Sequence, residues 1–400
     1  MSVRRPSPFL LLCGTGLFAI FSSTISKTPA LPLFARDLGA SDADIGFIAA
    51  ASTVVGILVS LPAGSLSDLY GRRRVIRAAA FVFASAPFLY LFVHEPWQLV
   101  LVRVYHGFAT AIFGPVAMAL VADLFVKGRG ESMGWYSSAT LVGRFIAPLV
   151  GGLILYFTTY PALYLVCGVG GLVALGLAWR LPETARPTET GSLAAGLDEL
   201  RAGLGAVLRS RPILVTSAAE ATQYLSYGAV ETFLPLYATT VGGLATWEVG
   251  VIFGAQLLTT ALSKPLMGRT SDRVGRRPMI ALGLCTSGVA VVGVALSPSF
   301  WTLLPAGMLY GLGLSVVTSS TSAFVSELAR ASAYGSALGV LSTIMDVGHA
   351  SGPVLAGLLV VRFSYASTFY VVAAILGVAV LAFLALVPAP APRPATTPGR

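Results

Sequence analysis

Seven titratable side chains interrupt the apolar stretches of this 400-residue sequence. They are Lys27, Arg103, Arg144, Glu220, Glu231, Asp346 and His349. A buried carboxylate or imidazole takes up or releases a proton when its surroundings change. No set of nucleophile, base and orienting group can be assembled from these residues, so the sequence predicts no enzyme. The chemistry that it favours is reversible protonation.

The composition indicates that lipid, rather than water, surrounds most of the chain. The sequence is 56% apolar and only 11% charged, whereas soluble domains contain about a quarter charged residues. Each charge at membrane depth costs about 3 kcal/mol, so a polar cavity or a partner is expected beside it. The basic residues form no aromatic-interleaved patch, and no nucleic acid is expected as a partner.

Helical spacing gathers the buried charges into stripes. Glu220, Tyr224, Tyr227 and Glu231 fall on one face of a helix, because eleven residues make almost three turns. We predict that the proton is carried by Glu231, Asp346 or Glu220, in that order, or by His349. The predicted cavity-lining residues are Lys27, Arg144, Tyr224, Tyr227 and Gln256. The alternative is that cations of the first half and carboxylates of the second form purely structural ion pairs.

Apolar runs of about 20 residues are long enough to cross a bilayer as helices. The sequence predicts an all-α integral membrane protein with twelve transmembrane helices. The predicted spans are 9–34, 44–66, 75–94, 97–122, 133–157, 161–181, 212–238, 247–268, 278–297, 300–326, 334–358 and 364–387.

The second half of the sequence repeats the first at a shift of 204 positions. Two halves with the same orientation predict two parallel six-helix bundles, 1–181 and 212–388. Between them, 182–211 is predicted to be a linker that contains an amphipathic helix on the membrane surface, and 389–400 a disordered tail. Three distant cysteines and no histidine cluster predict neither a disulfide nor a metal site.

The basic residues set the expected orientation. Twenty-one of the 26 lysines and arginines lie on one side of the predicted spans, and only Arg36 and Arg362 lie on the other. The positive-inside rule therefore predicts cytoplasmic N and C termini. The absence of asparagine and the abundance of alanine, glycine and arginine are typical of a GC-rich bacterial gene. We expect a multi-pass protein of the bacterial inner membrane.

Two charged islands recur between spans two and three and between spans eight and nine. Glycine, aspartate and arginine keep the same spacing in both, which topogenic charge alone does not require. We predict a cytoplasmic gate in which an island arginine reaches an acidic residue on a neighbouring span. The predicted gate residues are Gly64, Asp68, Gly71, Arg72, Arg73, Asp123, Gly268, Asp272, Arg273, Gly275, Arg276, Arg277 and Glu327. Leu69, where the second copy has Arg273, is expected to weaken the first gate.

These islands resemble the G-x-x-x-D-R-x-G-R-R signature of the major facilitator superfamily, and the resemblance extends over essentially the full chain. Arg103 with Gly107 is similar to the R-x-x-x-G motif of that family, in which the arginine is linked to proton transfer. The resemblance implies a secondary transporter that works by alternating access of two bundles.

Spans five and eleven carry related glycine-proline motifs. Span five resembles the G-x-x-x-G-P-x-x-G-G signature of proton-coupled exporters, except that Ala147 replaces a glycine. Small residues let membrane helices pack closely, and a bendable hinge between the halves is the functional interpretation. The predicted hinge residues are Gly143, Pro148, Gly152, Gly348, Gly352 and Pro353.

The expected function is proton-coupled efflux of a small organic molecule, by antiport and without a cofactor. The expected partners are the substrate, protons and the lipid bilayer, and the expected state is a monomer. One alternative is an uptake symporter or facilitator for an organic anion or sugar. A lipid flippase or a non-transporting membrane sensor is a more distant alternative.

The gate hypothesis predicts that Asp68→Asn and Asp272→Asn shift the balance between inward-open and outward-open states. A partly exposed ion pair contributes about 1 kcal/mol, which biases such an equilibrium without locking it. Distances between spin labels on the two halves would measure the populations. Unchanged distances in both variants would contradict the hypothesis.

Overall fold

The computed structural model describes residues 7–125, 128–182, 209–329 and 334–387. Within these ranges the regular secondary structure is all helical, without strands, and short turns connect the helices. The helices are α1 (Pro8–Ile25), α2 (Ala30–Asp37), α3 (Asp42–Tyr70), α4 (Arg72–Leu89), α5 (Pro96–Leu124), α6 (Arg129–Phe157), α7 (Tyr160–Trp179), α8 (Arg211–Leu236), α9 (Thr246–Val274), α10 (Arg276–Leu296), α11 (Phe300–Leu328), α12 (Tyr334–Arg362) and α13 (Tyr365–Leu386). The predicted tail and nearly all of the predicted linker helix lie outside the described residues.

The first predicted span, 9–34, is not one continuous helix. α1 ends at Ile25 and α2 begins at Ala30. Pro29 explains the break, because proline lacks a backbone N–H and disfavours helical geometry at the residue before it. The break contains Lys27 and Thr28.

Eleven helical segments of the described residues are long and apolar enough to cross a membrane. α8, the seventh predicted span, falls below that threshold because Glu220, Gln223 and Glu231 lie within it. Six of the helices, α3, α5, α6, α9, α11 and α12, contain 29 residues each. Such a helix is about 43 Å long, so it extends past the apolar run that marked the predicted span.

Two glycines terminate helices at the charged islands. Gly71 follows α3 with φ of 89°, and Gly275 follows α9 with φ of 105°. Side chains rarely adopt such positive φ values, whereas glycine does so without strain. We call the end of the molecule that holds these two turns the Gly71 end, and the opposite end, where α3 and α9 begin, the Asp42 end.

Helix packing follows the order of the chain. α1 packs on α6 and α7, and α4 packs on α5 and α7. In the second part of the chain, α8 packs on α12, and α10 packs on α11 and α13. The two parts meet most extensively where α3 crosses α12 and where α6 crosses α9.

The α3–α12 crossing has glycines in direct contact with a backbone carbonyl of the other helix. A Cβ atom added to Gly46 would lie 2.4 Å from the carbonyl oxygen of Pro353, and one on Gly357 would lie 2.5 Å from that of Asp42. No side chain fits at such distances, so only glycine permits this approach.

The α6–α9 crossing has the same design. A Cβ atom on Gly250 would lie 2.4 Å from the carbonyl oxygen of Pro148, and one on Gly152 would lie 2.4 Å from that of Thr246. These contacts repeat those of α3 and α12 at shifts of 204 and 205 positions. Both crossings are therefore closed toward the Asp42 end.

The same helices separate toward the Gly71 end. Added Cβ atoms on Gly56 of α3, Gly134 of α6, Gly268 of α9 and Gly339 of α12 would meet no described atom within 4 Å. Among the described residues, the helices are accordingly closed at the Asp42 end and open at the Gly71 end.

We expect Gly46→Val to open the Asp42 end, because the new side chain would collide with the Pro353 carbonyl. Gly56→Val, on the same helix, is the matched control, since that position has open space around it. Spin labels on α3 and α12 at the Asp42 end would report a longer distance in the first variant only. Equal distances in both variants would contradict this account of the closure.

Candidate functional site

Lys27, at the break between α1 and α2, forms an ion pair with Glu231 of α8. The Lys27 Nζ lies 2.7 Å from Glu231 Oε2. Thr28 donates a hydrogen bond to Glu231 Oε1 over 3.1 Å, and His349 Nε2 lies 3.3 Å from Oε2. Glu231 is only 9% exposed. A buried carboxylate with three polar neighbours responds strongly to the loss of any of them.

Lys27 and Glu231 are equivalent positions of the two repeats, since they are 204 residues apart. Arg144 and His349, 205 residues apart, are equivalent in the same way. The ion pair therefore joins positions that correspond in the sequence repeat. The sequence repeat relates these positions to each other. The relation is visible only when the two halves of the sequence are compared, and not when each span is considered separately.

Within the described residues Arg103 forms no ion pair with a carboxylate, contrary to the alternative of ion pairs between the halves. It is buried, and its guanidinium donates to Ser52 Oγ of α3 in a short hydrogen bond. The neighbouring Tyr90 and Tyr164 rings stack at 4.2 Å. No pattern in the sequence indicated Ser52 as the partner.

Gln256 was predicted to line the cavity, and the structure places it in a helix contact instead. It is 1% exposed, and a Cβ atom on Gly311 would lie 2.3 Å from the Gln256 carbonyl oxygen. Ser52 and Gly107 form the equivalent contact in the first part of the chain. A Cβ atom on Gly107 would lie 2.8 Å from the Ser52 carbonyl oxygen. Gln256 is therefore a packing residue of the α9–α11 contact.

A second group of charges lies closer to the Gly71 end. Glu220 of α8 is buried and accepts a hydrogen bond of 2.5 Å from Thr321 of α11. Lys264 of α9 is near enough to interact electrostatically with both Glu220 and Arg144. Neither Lys264 nor Thr321 was predicted to belong to this group.

Three rings form an aromatic wall between the two groups of charges. The centroids of Tyr224 and Tyr227 are 6.1 Å apart, and His349 lies 6.1 Å from Tyr224 and 5.5 Å from Tyr227. Asp346 precedes His349 by one helical turn on α12. Polar and aromatic groups that converge in a concave region are typical of a ligand site.

Each charged island connects three helices in the same way. Arg72 Nε lies 3.1 Å from Asp123 Oδ2, and Arg276 Nε lies 2.9 Å from Glu327 Oε1, and the partners are 51 positions apart in both cases. Arg276 also pairs with Asp272. The side chain of Asp68 lies outside the described part of the structure, and so does any contact at Gly64.

The second arginine of each island binds the end of another helix. Arg277 donates hydrogen bonds of 2.6 Å to the carbonyl oxygens of Leu384 and Val387 at the end of α13. Arg73 donates to the Trp179 carbonyl at the end of α7. This role was not predicted. Arg273 is exposed and forms no ion pair within the described residues. It therefore adds no ion pair to the described contacts of the second island.

The predicted hinge glycines lie in tight helix contacts. Added Cβ atoms would lie 2.4 Å from the Leu17 carbonyl for Gly143, 2.0 Å from that of Ala221 for Gly348, and 2.1 Å from that of Leu225 for Gly352. Pro148 and Pro353 lie inside α6 and α12. These contacts join α6 to α1 and α12 to α8.

A polar triad closes the Asp42 end. Arg36 of α2 pairs with Asp42 of α3, and Tyr365 of α13 donates to the same carboxylate over 2.9 Å. Arg36 also donates to the Tyr365 hydroxyl over 2.9 Å. The triad connects the two parts of the chain. Of its three residues, only Arg36 was noted in the sequence, as an isolated charge. Within the described residues, no cluster of three His, Cys, Asp or Glu side chains could hold a metal.

Lys27→Met should destabilise the protein by about 3 kcal/mol, because it leaves the Glu231 carboxylate buried without its cation. Glu231→Gln added to that variant should restore most of the loss, since no uncompensated charge then remains. Denaturant unfolding in detergent measures both effects. Losses that simply add in the double variant would contradict a direct interaction.

The comparisons with known proteins agree with this architecture. The sequence model of the Major Facilitator Superfamily matches residues 11–255 and 242–400. An uncharacterised transporter of this type from Methanocaldococcus jannaschii is 23% identical over 352 residues, which cover 88% of each chain. The quinolone resistance protein NorA from Staphylococcus aureus is 23% identical over 347 residues, 86% of this chain and 87% of the relative.

Solved structures share the fold. The nucleoside transporter NupG superposes with a TM-score of 0.81 at 15% identity and covers 95% of this chain and 99% of its own. A D-xylose–proton symporter superposes with a TM-score of 0.75 at 16% identity, with coverage of 95% and 97%. The chain therefore belongs to the Major Facilitator Superfamily, and it is a multi-pass membrane transporter rather than an enzyme.

Proposed function

We propose that this protein exports a small organic molecule from a bacterial cell in exchange for protons, as a monomer of the inner membrane. The observation that carries the proposal is the Glu231 site, a buried carboxylate paired with Lys27 across the two parts of the chain. Any relative movement of α8 against the α1–α2 break changes the surroundings of this carboxylate. The site thus links conformation to charge.

Alternating access follows from two parallel six-helix bundles that rock against each other. The positive-inside rule assigns the Gly71 end, both islands and both termini to the cytoplasm. In that orientation the structure is inward-open. The glycine contacts and the Arg36 triad keep the outside closed, and the islands are expected to tighten when the cytoplasmic side closes.

Proton exchange requires a carboxylate whose neighbouring cation moves away from it in one conformational state. When Lys27 moves away from Glu231, desolvation favours the neutral acid, and a proton binds. When Lys27 returns, the proton is released. Asp346 and Glu220 are the next candidates, since both face the region where the helices separate. Arg103, buried beside α3, would act on these groups through its positive charge.

The direction of transport is inferred from relatives and from the motif of span five. Relatives include proteins named for quinolone resistance and, in Bacillus subtilis, for multidrug resistance. The second candidate is an uptake symporter or facilitator for an organic anion or sugar. Its support is the cations Lys27 and Arg144 and the fold shared with sugar and nucleoside transporters.

Reconstituted vesicles with a fluorescent quinolone as the probe separate these candidates. An imposed proton gradient should expel the quinolone against the proton flow if the protein exports, and should accumulate it with the protons if it is a symporter. Accumulation with the protons would reject export.

A triple variant tests the proton site. Glu231→Gln, Asp346→Asn and Glu220→Gln together should abolish proton-driven transport, because no titratable carboxylate remains among the candidates. Glu131→Gln is the matched control, since Glu131 is exposed in the first turn of α6. Transport that survives in the triple variant would remove these residues from the coupling mechanism.

A further inference from the structure

Arg144 and Asp346 are a cation and a carboxylate that no other side chain in the described part of the protein pairs. Arg144 of α6 is exposed, and Asp346 of α12 is partly exposed. Within the described residues, neither side chain has an ion-pair or hydrogen-bond partner. They lie on helices from the two parts of the chain, so a molecule between them would contact both.

The other charges of the region each have an opposite charge nearby. Lys27 pairs with Glu231. Lys264 is exposed and forms no ion pair within the described residues, but it lies within electrostatic range of Glu220. An anionic or cationic group that enters the cavity would therefore find its strongest unmatched partner in Arg144 or Asp346.

An aromatic surface connects these two charges. Both Arg144 and Asp346 are within electrostatic range of Tyr224, and Arg144 is also within range of Tyr227. The two tyrosine hydroxyls have no hydrogen-bond partner within the described part of the chain, although neither ring is fully buried. They are available to a ligand, and their rings can stack on an aromatic body.

We propose that the cavity selects small aromatic zwitterions, with the anionic group on Arg144, the cationic group on Asp346 and the ring against Tyr224 and Tyr227. The proposal rests on the transport function proposed above and names its substrate class. A molecule with a single charge would satisfy one of the two residues and leave the other desolvated and unmatched, which disfavours it.

Binding of a matched indole series tests this selectivity. Tryptophan is zwitterionic, tryptamine is cationic, indole-3-propionate is anionic, and leucine is a zwitterion without a ring. Equilibrium binding of each compound to the purified full-length protein in detergent requires no proton gradient. We expect tryptophan to bind about tenfold more tightly than the other three compounds, because tryptamine and indole-3-propionate each lose one charge contact and leucine loses the ring contact; a tenfold difference corresponds to about 1.4 kcal/mol.

Two variants should change the ranking in opposite directions. Arg144→Gln should make tryptamine bind as tightly as tryptophan, and Asp346→Asn should do the same for indole-3-propionate. Arg269→Gln, a substitution of an exposed arginine on α9, should leave the ranking unchanged. Arg144→Lys keeps the charge and should keep the preference for tryptophan, which separates loss of charge from loss of structure.

Three results would overturn the proposal. The three indoles could bind equally tightly, none of them could bind, or both variants could lower the affinity for all three indoles by the same factor. The result is independent of the transport assay. A protein that exports a quinolone but lacks this ranking would refute the substrate class alone. The ranking without proton-driven export would refute the proposed function alone.

Discussion

The contact between a glycine and a backbone carbonyl at each helix crossing determines much of this structure. Lipid provides little hydrophobic drive for helices to associate, so close backbone packing must hold them together. At the α3–α12 and α6–α9 crossings, four glycines bring the backbones together at one end only. Because these contacts stop at mid-helix, the remaining length of each helix is free to diverge, and a cavity opens between the two parts of the chain.

This packing geometry explains where the charged side chains of the membrane-spanning helices lie. The Lys27–Glu231 pair lies between positions that correspond in the sequence repeat, and the Pro29 break lets Lys27 reach α8 without a helical backbone in the way. Arg144 and Asp346 lie where the helices separate and water can solvate them. The buried Arg103 is different, since it is held by Ser52 inside the first part of the chain. Lys27 and Glu231 are thus paired where the two parts of the chain pack together, whereas Arg144 and Asp346 have no ion-pair partner among the described residues where the helices separate.

The sequence predicted the helices well because apolar length is a local property that lipid selects directly. It also predicted the residues of the Arg72–Asp123 and Arg276–Glu327 contacts, since the repeat constrains both ends of each pair. Partners such as Ser52, Thr28 and Thr321 could not be predicted, because a hydroxyl in an apolar run has no periodic signal. The packing role of Gln256 was missed for a related reason: whether a polar side chain faces a cavity or a helix depends on the crossing geometry.

The two repeats keep their glycines and differ in their charges, and one physical argument accounts for both facts. Glycines at 46 and 250, and at 152 and 357, make the same backbone contact twice, so a side chain at any of them would separate one crossing. The charges at the corresponding positions 27 and 231 face the opposite requirement. Two identical charged residues there would place like charges together in a region of low dielectric, whereas lysine and glutamate attract. The fold therefore requires the same residue type at corresponding positions of the crossings, and the chemistry requires different residue types at positions 27 and 231.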